Sequence, residues 1–158
     1  MFNIVLLEPR MPGNVGTIGR LAYATGSILH LIKPYGFGEI NEKQVRRAGL
    51  DYWEFLDVRE YENIEDFKEK NPDDIRCFYA TTKTTKPYFE AEYNTNDYFF
   101  FGREDAGLPS ELLENNKESC INIPMTNEAR SLNIANSVSV IVYDAIRQNH
   151  IEFRTYND

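Results

Sequence analysis

The sequence YFFFGREDAGLP runs from Tyr98 to Pro109 and changes character sharply in its middle. Its first four residues are an apolar run that predicts a buried β-strand, whereas the part from Gly102 onward is rich in glycine and charge. A second apolar run, Cys120–Met125, gives way to polar residues and a long amphipathic segment. This order predicts strand, turn and helix twice over. Turns that follow parallel strands share one edge of a sheet, where ligands bind in α/β proteins, so we expect the functional site there.

The rest of the chain repeats this alternation of strands and helices. Apolar runs predict strands at Phe2–Leu7, Ile28–Ile32, Trp53–Leu56, Arg76–Ala80, Tyr98–Phe101 and Cys120–Ile123. Capping and stop signals predict helices from an N-cap at Asn14 to a stop at Gly26, from Glu42 to Ala48, from a cap at Asn63 through Phe67, and from about Leu132 to Gln148. The pattern is typical of a single α/β domain over residues 1–158, with a mainly parallel sheet flanked by helices.

Charge is unevenly distributed along the chain. The net charge is −8, which argues against a general nucleic-acid coat, because such proteins are basic. Residues 10–50 nevertheless carry six basic and two acidic side chains, whereas residues 51–75 carry ten acidic and three basic ones. The basic part is compatible with a small RNA partner held at one place, and equally with no RNA at all.

The cysteines and histidines indicate the cellular compartment and limit the kinds of catalytic site that the sequence can form. Cys77 and Cys120 both fall in predicted strands, and the N-terminus lacks the basic region and cleavage site of a signal peptide. The apolar runs are too short to span a membrane. We therefore expect a cytoplasmic protein with reduced thiols and no membrane segment. His30 and His150 are the only histidines, so we expect neither a metal site nor a Ser-His-Asp triad.

Three glycines, Gly13, Gly16 and Gly19, follow the first predicted strand. A dinucleotide site needs the spacing G-x-G-x-x-G and an acidic residue at the end of the second strand. Here the spacing differs and the second strand is followed by Lys33, so the dinucleotide interpretation is poor. Close helix packing explains these glycines as well as a ligand does. Arg20, at the end of this segment, is well placed to meet a phosphate.

Ser131, Asn133 and Ser137 follow the second apolar run. Ser131 has a purely structural explanation as the N-cap of the last helix. Asn133 and Ser137 are poor helix formers, and their polar atoms suit a ligand or a partner subunit. No serine lies in a G-x-S-x-G turn and the sequence contains no Walker loop, so neither a hydrolase nor a P-loop nucleotide site is supported.

Together these segments resemble the SPOUT methyltransferases, in particular the tRNA 2′-O-ribose methyltransferases that modify the wobble nucleotide. The resemblance rests on Asn14-x-Gly16-x-x-x-Arg20, on Gly102-x-Glu104-x-x-Gly107-Leu108-Pro109, and on Ile123-Pro124-Met125 followed by Ser131-Leu132-Asn133 and Ser137. It extends to Glu8-Pro9, Arg46–Tyr52 and Val138–Val140, so it covers nearly the whole chain. Each motif alone is a modest signal, whereas all three in this order are specific.

The resemblance implies a SPOUT fold whose C-terminal part forms a deep trefoil knot, a path that chain connections ordinarily avoid. It implies that the methyl donor S-adenosylmethionine is bound in this knot, largely by the backbone of three loops. The cofactor-binding residues carried over are Ala80, Thr81, Gly102, Glu104, Gly107, Ile123, Met125, Ser131 and Leu132. The resemblance also implies a homodimer, with the first and last helices packed across the interface, and the anticodon loop of tRNA as the partner.

The resemblance further implies a chemistry in which a ribose 2′-oxygen is aligned with the donor methyl group and loses its proton. The candidate catalytic residues are Arg20, Asn14, Ser131 and Asn133, and the candidate RNA contacts are Arg20, Arg46, Arg47 and Lys83. A guanidinium with a pKa above about 12 is a poor general base, so we expect Arg20 to anchor the adjacent phosphate and stabilise the developing alkoxide. Two alternatives stay open, an NADP-dependent α/β oxidoreductase and a non-catalytic RNA-binding module.

Overall fold

Parallel strands form one central sheet in the computed structural model, which describes residues 1–41, 43–44 and 51–153. The strands are β1 Asn3–Leu7, β2 Ile28–Ile32, β3 Val58–Tyr61, β4 Cys77–Ala80, β5 Tyr98–Phe101 and β6 Cys120–Ile121. Their order across the sheet is β3-β2-β1-β5-β4-β6, and each neighbouring pair is parallel. The predicted α/β fold with a mainly parallel sheet is therefore confirmed.

Helices lie on both faces of this sheet. Those bounded within the described residues are α1 Pro12–Thr25, α2 Ile64–Lys70, α3 Ser110–Glu114 and α4 Ile134–Gln148. The helix predicted from Glu42 to Ala48 lies mostly outside the described residues. In the part of the chain that the structure describes, none of the helices has the length and apolar character needed to cross a membrane.

The prediction of a third strand at Trp53–Leu56 is wrong. Residues Trp53–Phe55 form a short 3-10 turn, and the strand follows at Val58–Tyr61. Trp53 packs on α1 instead of entering the sheet, since a Cβ built on Gly19 would lie 3.0 Å from its ring. The apolar signal at this point thus reports packing between the turn and the helix.

Two predicted helix starts are corrected by the structure. Asn14 is not an N-cap, because α1 begins at Pro12, a residue that suits the first helical position since its missing N–H is not needed there. Ser131 does not cap the last helix either. Asn133 does so, with Oδ1 accepting hydrogen bonds from the N–H groups of residues 135 and 136 at 2.9 and 3.3 Å. The predicted stop at Gly26 is confirmed by its φ of 65°.

Each face of the sheet carries its own hydrophobic layer. Strand β1 is buried throughout, with Ile4 and Leu6 in one layer and Val5 and Leu7 in the other, as strand alternation requires. The first layer is completed by α1 and α4 through Val15, Ile18, Ala22, Val138, Ile141, Val142, Ala145 and Ile146. The second layer is completed by α2 and α3 through Phe67 and Leu113. Helices α1 and α4 are thereby fixed against each other on the same face.

A buried chain of hydrogen bonds crosses the second layer and includes His30. Asn3 donates from Nδ2 to the carbonyl of residue 96, so its Oδ1 faces His30 Nε2 at 3.0 Å and accepts the proton of that nitrogen. His30 Nδ1 then accepts from the Tyr61 hydroxyl at 2.8 Å, and Tyr61 in turn accepts from Asn71 Nδ2 at 3.3 Å. Burial lowers the pKa of His30 to about 4, with the nearby Arg59 charge acting in the same direction. The histidine is therefore neutral in the folded protein.

The carboxyl ends of β1, β4, β5 and β6 meet at one edge of the sheet, because these strands are parallel neighbours. The segments that follow them are residues 8–11, 81–87, 102–109 and 122–133. Strand β4 lies between β5 and β6 although it precedes both in the chain. The trefoil knot expected in this region stays a prediction.

Candidate active site

The loops after β4, β5 and β6 line a cavity of about 430 Å³ at this edge of the sheet. Ligand pockets commonly have volumes of about 300–1,000 Å³, so the cavity has room for a ligand of cofactor size. All nine residues predicted to bind the cofactor line it: Ala80, Thr81, Gly102, Glu104, Gly107, Ile123, Met125, Ser131 and Leu132. The structure thus brings these residues together, whereas their role in binding stays a prediction.

The loop from Gly102 to Gly107 is closed by its own backbone. Arg103 and Gly107 exchange main-chain hydrogen bonds of 3.2 and 2.8 Å. A Cβ at Gly102 would overlap the peptide between Gly107 and Leu108, and Gly107 has a φ of +71°. This wall of the cavity therefore requires both glycines. Gly102 is required because a side chain would have no space, and Gly107 because of its backbone conformation.

Glu104 joins this loop to the start of α1. Its carboxylate accepts hydrogen bonds from the main-chain N–H groups of Arg10 at 2.8 Å and Met11 at 3.2 Å, and from Asn14 Nδ2 at 3.2 Å. Met11 supplies no side-chain cap to α1, and the first turn of the helix contains no acidic residue. Glu104 therefore places the missing negative charge at the positive end of the helix dipole from a distant part of the sequence.

Asn14 and Asn133 meet beside the same loop. Asn133 donates from Nδ2 to Asn14 Oδ1 at 3.1 Å, while its Oδ1 is held by the first turn of α4. Asn14 donates from Nδ2 to Glu104, so the orientation of both amides follows from their partners. The result is a directed row, Asn133 to Asn14 to Glu104, that ties together the three motifs found in the sequence.

Ser131, Ser137 and Lys83 also line the cavity. Ser131 is exposed in the segment before α4, and Lys83 is exposed in the loop after β4. The Ser137 hydroxyl donates to the carbonyl of Asn133 at 3.3 Å, which adds a second constraint on that residue. The cavity wall thus offers a hydroxyl and a cation at positions open to solvent.

Arg20 does not line the cavity within one chain. It is exposed on α1, and it lies six residues after Asn14, which corresponds to about 9 Å along the helix axis and to a different helical face. The predicted catalytic set is therefore only partly assembled: Asn14, Ser131 and Asn133 line the cavity, whereas Arg20 lies apart. Arg46 and Arg47 lie outside the described residues.

Sequence reasoning missed the role of Glu104 as the cap of α1. The signal was present in the sequence, because a helix that begins at Met11-Pro12 without Ser, Thr, Asp or Asn before it has no side-chain cap of its own, and Glu104 accepts from the main-chain N–H of Met11 at the N-cap position. It also missed the pair formed by Arg103 and Asp105, which are joined by two hydrogen bonds of 2.9 and 2.7 Å. This pair lowers the pKa of Asp105, chiefly through its hydrogen bond from Arg103.

Comparison with known proteins agrees with this geometry. The sequence profile of the SpoU rRNA Methylase family matches residues 1–143, and the chain belongs to this family. It is 46% identical over 150 residues to the tRNA (cytidine(34)-2′-O)-methyltransferase of Escherichia coli (strain K12), with 94% of each chain covered. The predicted family of RNA methyltransferases is thereby confirmed, and the oxidoreductase alternative is wrong.

Solved structures show the same similarity. One, described as giving structural insights into the 2-OH methylation of C/U34 on tRNA, superposes with a TM-score of 0.87 at 39% identity, covering 94% of this chain and 95% of that one. Another is the AdoMet-bound rRNA methyltransferase of Sinorhizobium meliloti, with a TM-score of 0.83 at 25% identity. That similarity covers 96% of this chain and 57% of the other, so the shared part is the common fold of the family.

Proposed function

We propose that this chain is an S-adenosylmethionine-dependent tRNA methyltransferase that methylates the ribose 2′-hydroxyl of the wobble nucleotide, cytidine or uridine at position 34 of the anticodon loop. The observation that carries the proposal is the directed row from Asn133 through Asn14 to Glu104 at the wall of the cavity. Support also comes from relatives named for this activity that match the chain along almost its whole length.

Two features of the cavity support S-adenosylmethionine as the methyl donor. Gly102 and Gly107 add no side chain to one wall of the cavity, which leaves room for a heterocycle beside the backbone of this loop. Ile123, Met125 and Leu132 add apolar surface for the remaining part of the molecule. Bound there, S-adenosylmethionine supplies a methyl group made electrophilic by its sulfonium.

The chain's own contribution is to position the acceptor ribose. Asn14 and Asn133 are held by each other and by Glu104, so their amides are fixed before the substrate arrives. Much of the rate of a transfer between two bound reactants comes from such alignment. We assign Ser131 to the same side of the cavity, where its exposed hydroxyl passes the acceptor proton to solvent.

We assign Arg20 to the acceptor phosphate and to the charge that develops on the 2′-oxygen, because a guanidinium is a poor base and a good anion ligand. Its distance from the cavity within one chain favours delivery from a second copy in a homodimer. Exposed aromatic residues on the two helices of the shared layer support such an interface: Tyr23 on α1 is 44% exposed and Tyr143 on α4 is 50% exposed.

The remaining parts of the proposal concern the RNA and the chain as a whole. Lys83, at the cavity wall, contacts the anticodon loop, and Arg46 and Arg47 add phosphate contacts from the neighbouring basic segment. The chain acts as a single domain that carries the C-terminal knot of its family, and it works in the cytoplasm, where its tRNA substrate is found.

The experiment that tests this function uses the purified chain, isotopically labelled S-adenosylmethionine and total tRNA. We expect label in the RNA, and saturable binding of the donor in the absence of RNA. A variant with Asn14→Ala should bind the donor but transfer little label, because the acceptor side loses its fixed amide. Donor binding without any label in tRNA would contradict the assigned substrate, and absence of donor binding would contradict the assigned cofactor.

A further inference from the structure

A second, shallow and open depression of about 420 Å³ adjoins the candidate active site. It is lined by Arg10, Met11, Gly36, Arg103, Glu104 and Asp105. Three of these residues, Arg103, Glu104 and Asp105, also line the first cavity, so the two cavities share a wall. We call this second space the arginine cavity, after Arg10 and Arg103.

Arg10 is built into the wall of the arginine cavity. Its main-chain N–H donates to Glu104 at 2.8 Å, and its aliphatic stem lies against Gly36. A Cβ at residue 36 would overlap Arg10 Cδ and would lie 2.9 Å from Arg10 Cα. Since backbone and stem are both held, glycine at position 36 is the residue that leaves room for the arginine.

The guanidinium of Arg10 is not satisfied by the fold. Its Nε is buried and has no hydrogen-bond partner within residues 1–41, 43–44 and 51–153. A buried donor without a partner destabilises the fold, and more so when it belongs to a charged group. Such groups are rare in native proteins, and a bound partner is one of their ordinary explanations.

The carboxylates beside Arg10 are engaged elsewhere. Glu104 accepts three hydrogen bonds from the start of α1. Asp105 accepts two from Arg103, through Nε and Nη2, which leaves Nη1 of Arg103 outside the pair. The cavity therefore combines a guanidinium whose buried Nε has no partner among the described residues with a second guanidinium that keeps spare donors.

We propose that Arg10, assisted by Arg103, binds a phosphodiester group of the RNA strand close to the acceptor nucleotide, an inference that rests on the proposed function. The planar donors of a guanidinium match the oxygens of a phosphate. The shared wall puts this group beside the loop whose Glu104 holds Asn14, so one strand of RNA spans both places. In a chain with a net charge of −8, such a local contact gives RNA affinity that the overall charge does not.

The test replaces Arg10→Met, which keeps the packing of the stem on Gly36 and removes the charge and donors. Removal of one charge-assisted contact should weaken tRNA binding about tenfold at low salt. It should also reduce the slope of log affinity against log salt concentration by about 0.7–0.9, the value for one phosphate. The dissociation constant of S-adenosylmethionine should not change, and the melting temperature should be equal or higher, because an unsatisfied buried group is lost.

Two further variants sharpen the experiment. Lys70→Met makes the same change of charge at a residue that lines neither cavity and is ion-paired with Asp66 at 2.8 Å, so it should leave tRNA affinity unchanged. Asp105→Asn releases Arg103 from its carboxylate and should tighten tRNA binding by about two- to fivefold, the worth of a surface ion pair.

The outcomes separate this inference from the proposed function. If the wild-type chain labels tRNA but Arg10→Met binds tRNA with unchanged affinity and salt slope, the phosphate site is wrong and the proposed function stands. Weaker donor binding with unchanged tRNA binding would identify the anion as the donor carboxylate and overturn the inference. If the wild-type chain labels no RNA, both fail together.

Discussion

Asn133 Nδ2 donates a hydrogen bond to Asn14 Oδ1 over a distance of 3.1 Å and a separation of 119 residues in the sequence. The two residues stand at the starts of the two helices that share one face of the sheet. Asn133 is oriented by α4 and Asn14 is oriented by Glu104, so neither amide is free to turn. This contact couples two motifs that we assign to the acceptor side of the site.

Asn133 caps α4 and donates a hydrogen bond to Asn14, and the replacement Asn133→Asp separates these two functions. Aspartate caps a helix as well as asparagine does, so α4 and the stability of the fold should be retained. The donor to Asn14 is lost, however, and we expect the turnover number to fall at least about tenfold, consistent with about 1.4 kcal/mol of lost alignment. Turnover and thermal unfolding measured on the same preparation check this. A fully active Asn133→Asp variant would show that the contact between the asparagines does not serve the reaction.

Glu104 was predicted from the sequence as a cofactor contact, but it also holds the start of α1. We therefore predict that replacing it lowers the stability of the fold. Glu104→Ala removes the acceptor for three donors at the start of α1, and we expect the free energy of unfolding to fall by about 1–3 kcal/mol. Turnover should fall as well, because Asn14 loses its partner. Urea denaturation measures the first effect, and Glu128→Ala, in an exposed turn, provides the control. Unchanged stability with weakened donor binding would mean that Glu104 serves the donor alone.

Gly102 has no room for a side chain, so we predict that one added methyl group at this position strongly weakens donor binding. Gly102→Ala would force the Gly107–Leu108 peptide away, so the affinity for S-adenosylmethionine should fall at least about tenfold, the equivalent of roughly 1.4 kcal/mol. Gly13→Ala is the matched control, because a Cβ there meets nothing within 4 Å. In the first turn of α1 the added methyl should leave donor affinity unchanged and slightly stabilise the helix. Calorimetric titration of both variants with the donor compares them. Equal donor affinities of the two variants would show that the loop from Gly102 to Gly107 does not bind the donor.

The neutral state of buried His30 predicts how stability depends on pH. Its pKa is about 4 in the folded protein, below the ordinary value of 6.5, so between these values the unfolded chain binds the extra proton. The contribution of this residue to stability is therefore fully present above pH 6.5 and is lost as the pH falls towards 4, with a slope of up to about 1.4 kcal/mol per pH unit. Denaturation across this range, compared with His30→Gln, measures it. An identical pH dependence in the variant would contradict the assignment.

The assignment of Arg20 to the acceptor predicts a separation of binding from transfer. Arg20→Ala should abolish methyl transfer while donor affinity stays within about twofold of the wild type, because Arg20 does not line the donor cavity. If Arg20 is delivered by a second copy, a mixture of Arg20→Ala and Asn14→Ala chains should regain part of the activity. Loss of donor binding in Arg20→Ala would show that this residue serves the donor and would contradict its assignment to the acceptor.

The sequence predicted the sheet best where strands are buried on both faces. The runs at β1, β2 and β5 are apolar apart from Asn3 and His30, because they lie inside the sheet, covered by helices on either side. Strand β3 escaped prediction because it is a short edge strand with Arg59 and Glu60 in its centre, so its hydrophobic signal is weak. The aromatic signal next to it came from Trp53, which packs on α1.

The residues that line the cavity were largely predictable from the sequence, with Arg20, which lies apart, as the exception, whereas the contacts between them were not. The three motifs could be recognised from local residue types, and the loops that carry them do line one cavity. The contacts between Asn133, Asn14 and Glu104 span 90 to 119 residues, and no local pattern encodes which side chain meets which. Asn14 illustrates the difference. As an isolated residue it suggested an N-cap, whereas in the fold its helix is capped by Glu104.

The most direct test of the central claim is the position of the methyl group. Total tRNA labelled by the purified chain should be digested to nucleosides and to oligonucleotides, and the modified residue should be mapped by mass spectrometry, with Arg20→Ala as the inactive control. We predict a single 2′-O-methylated cytidine or uridine at position 34 of the anticodon loop. A methyl group on a base, or a ribose methylation elsewhere in the tRNA, would contradict the account.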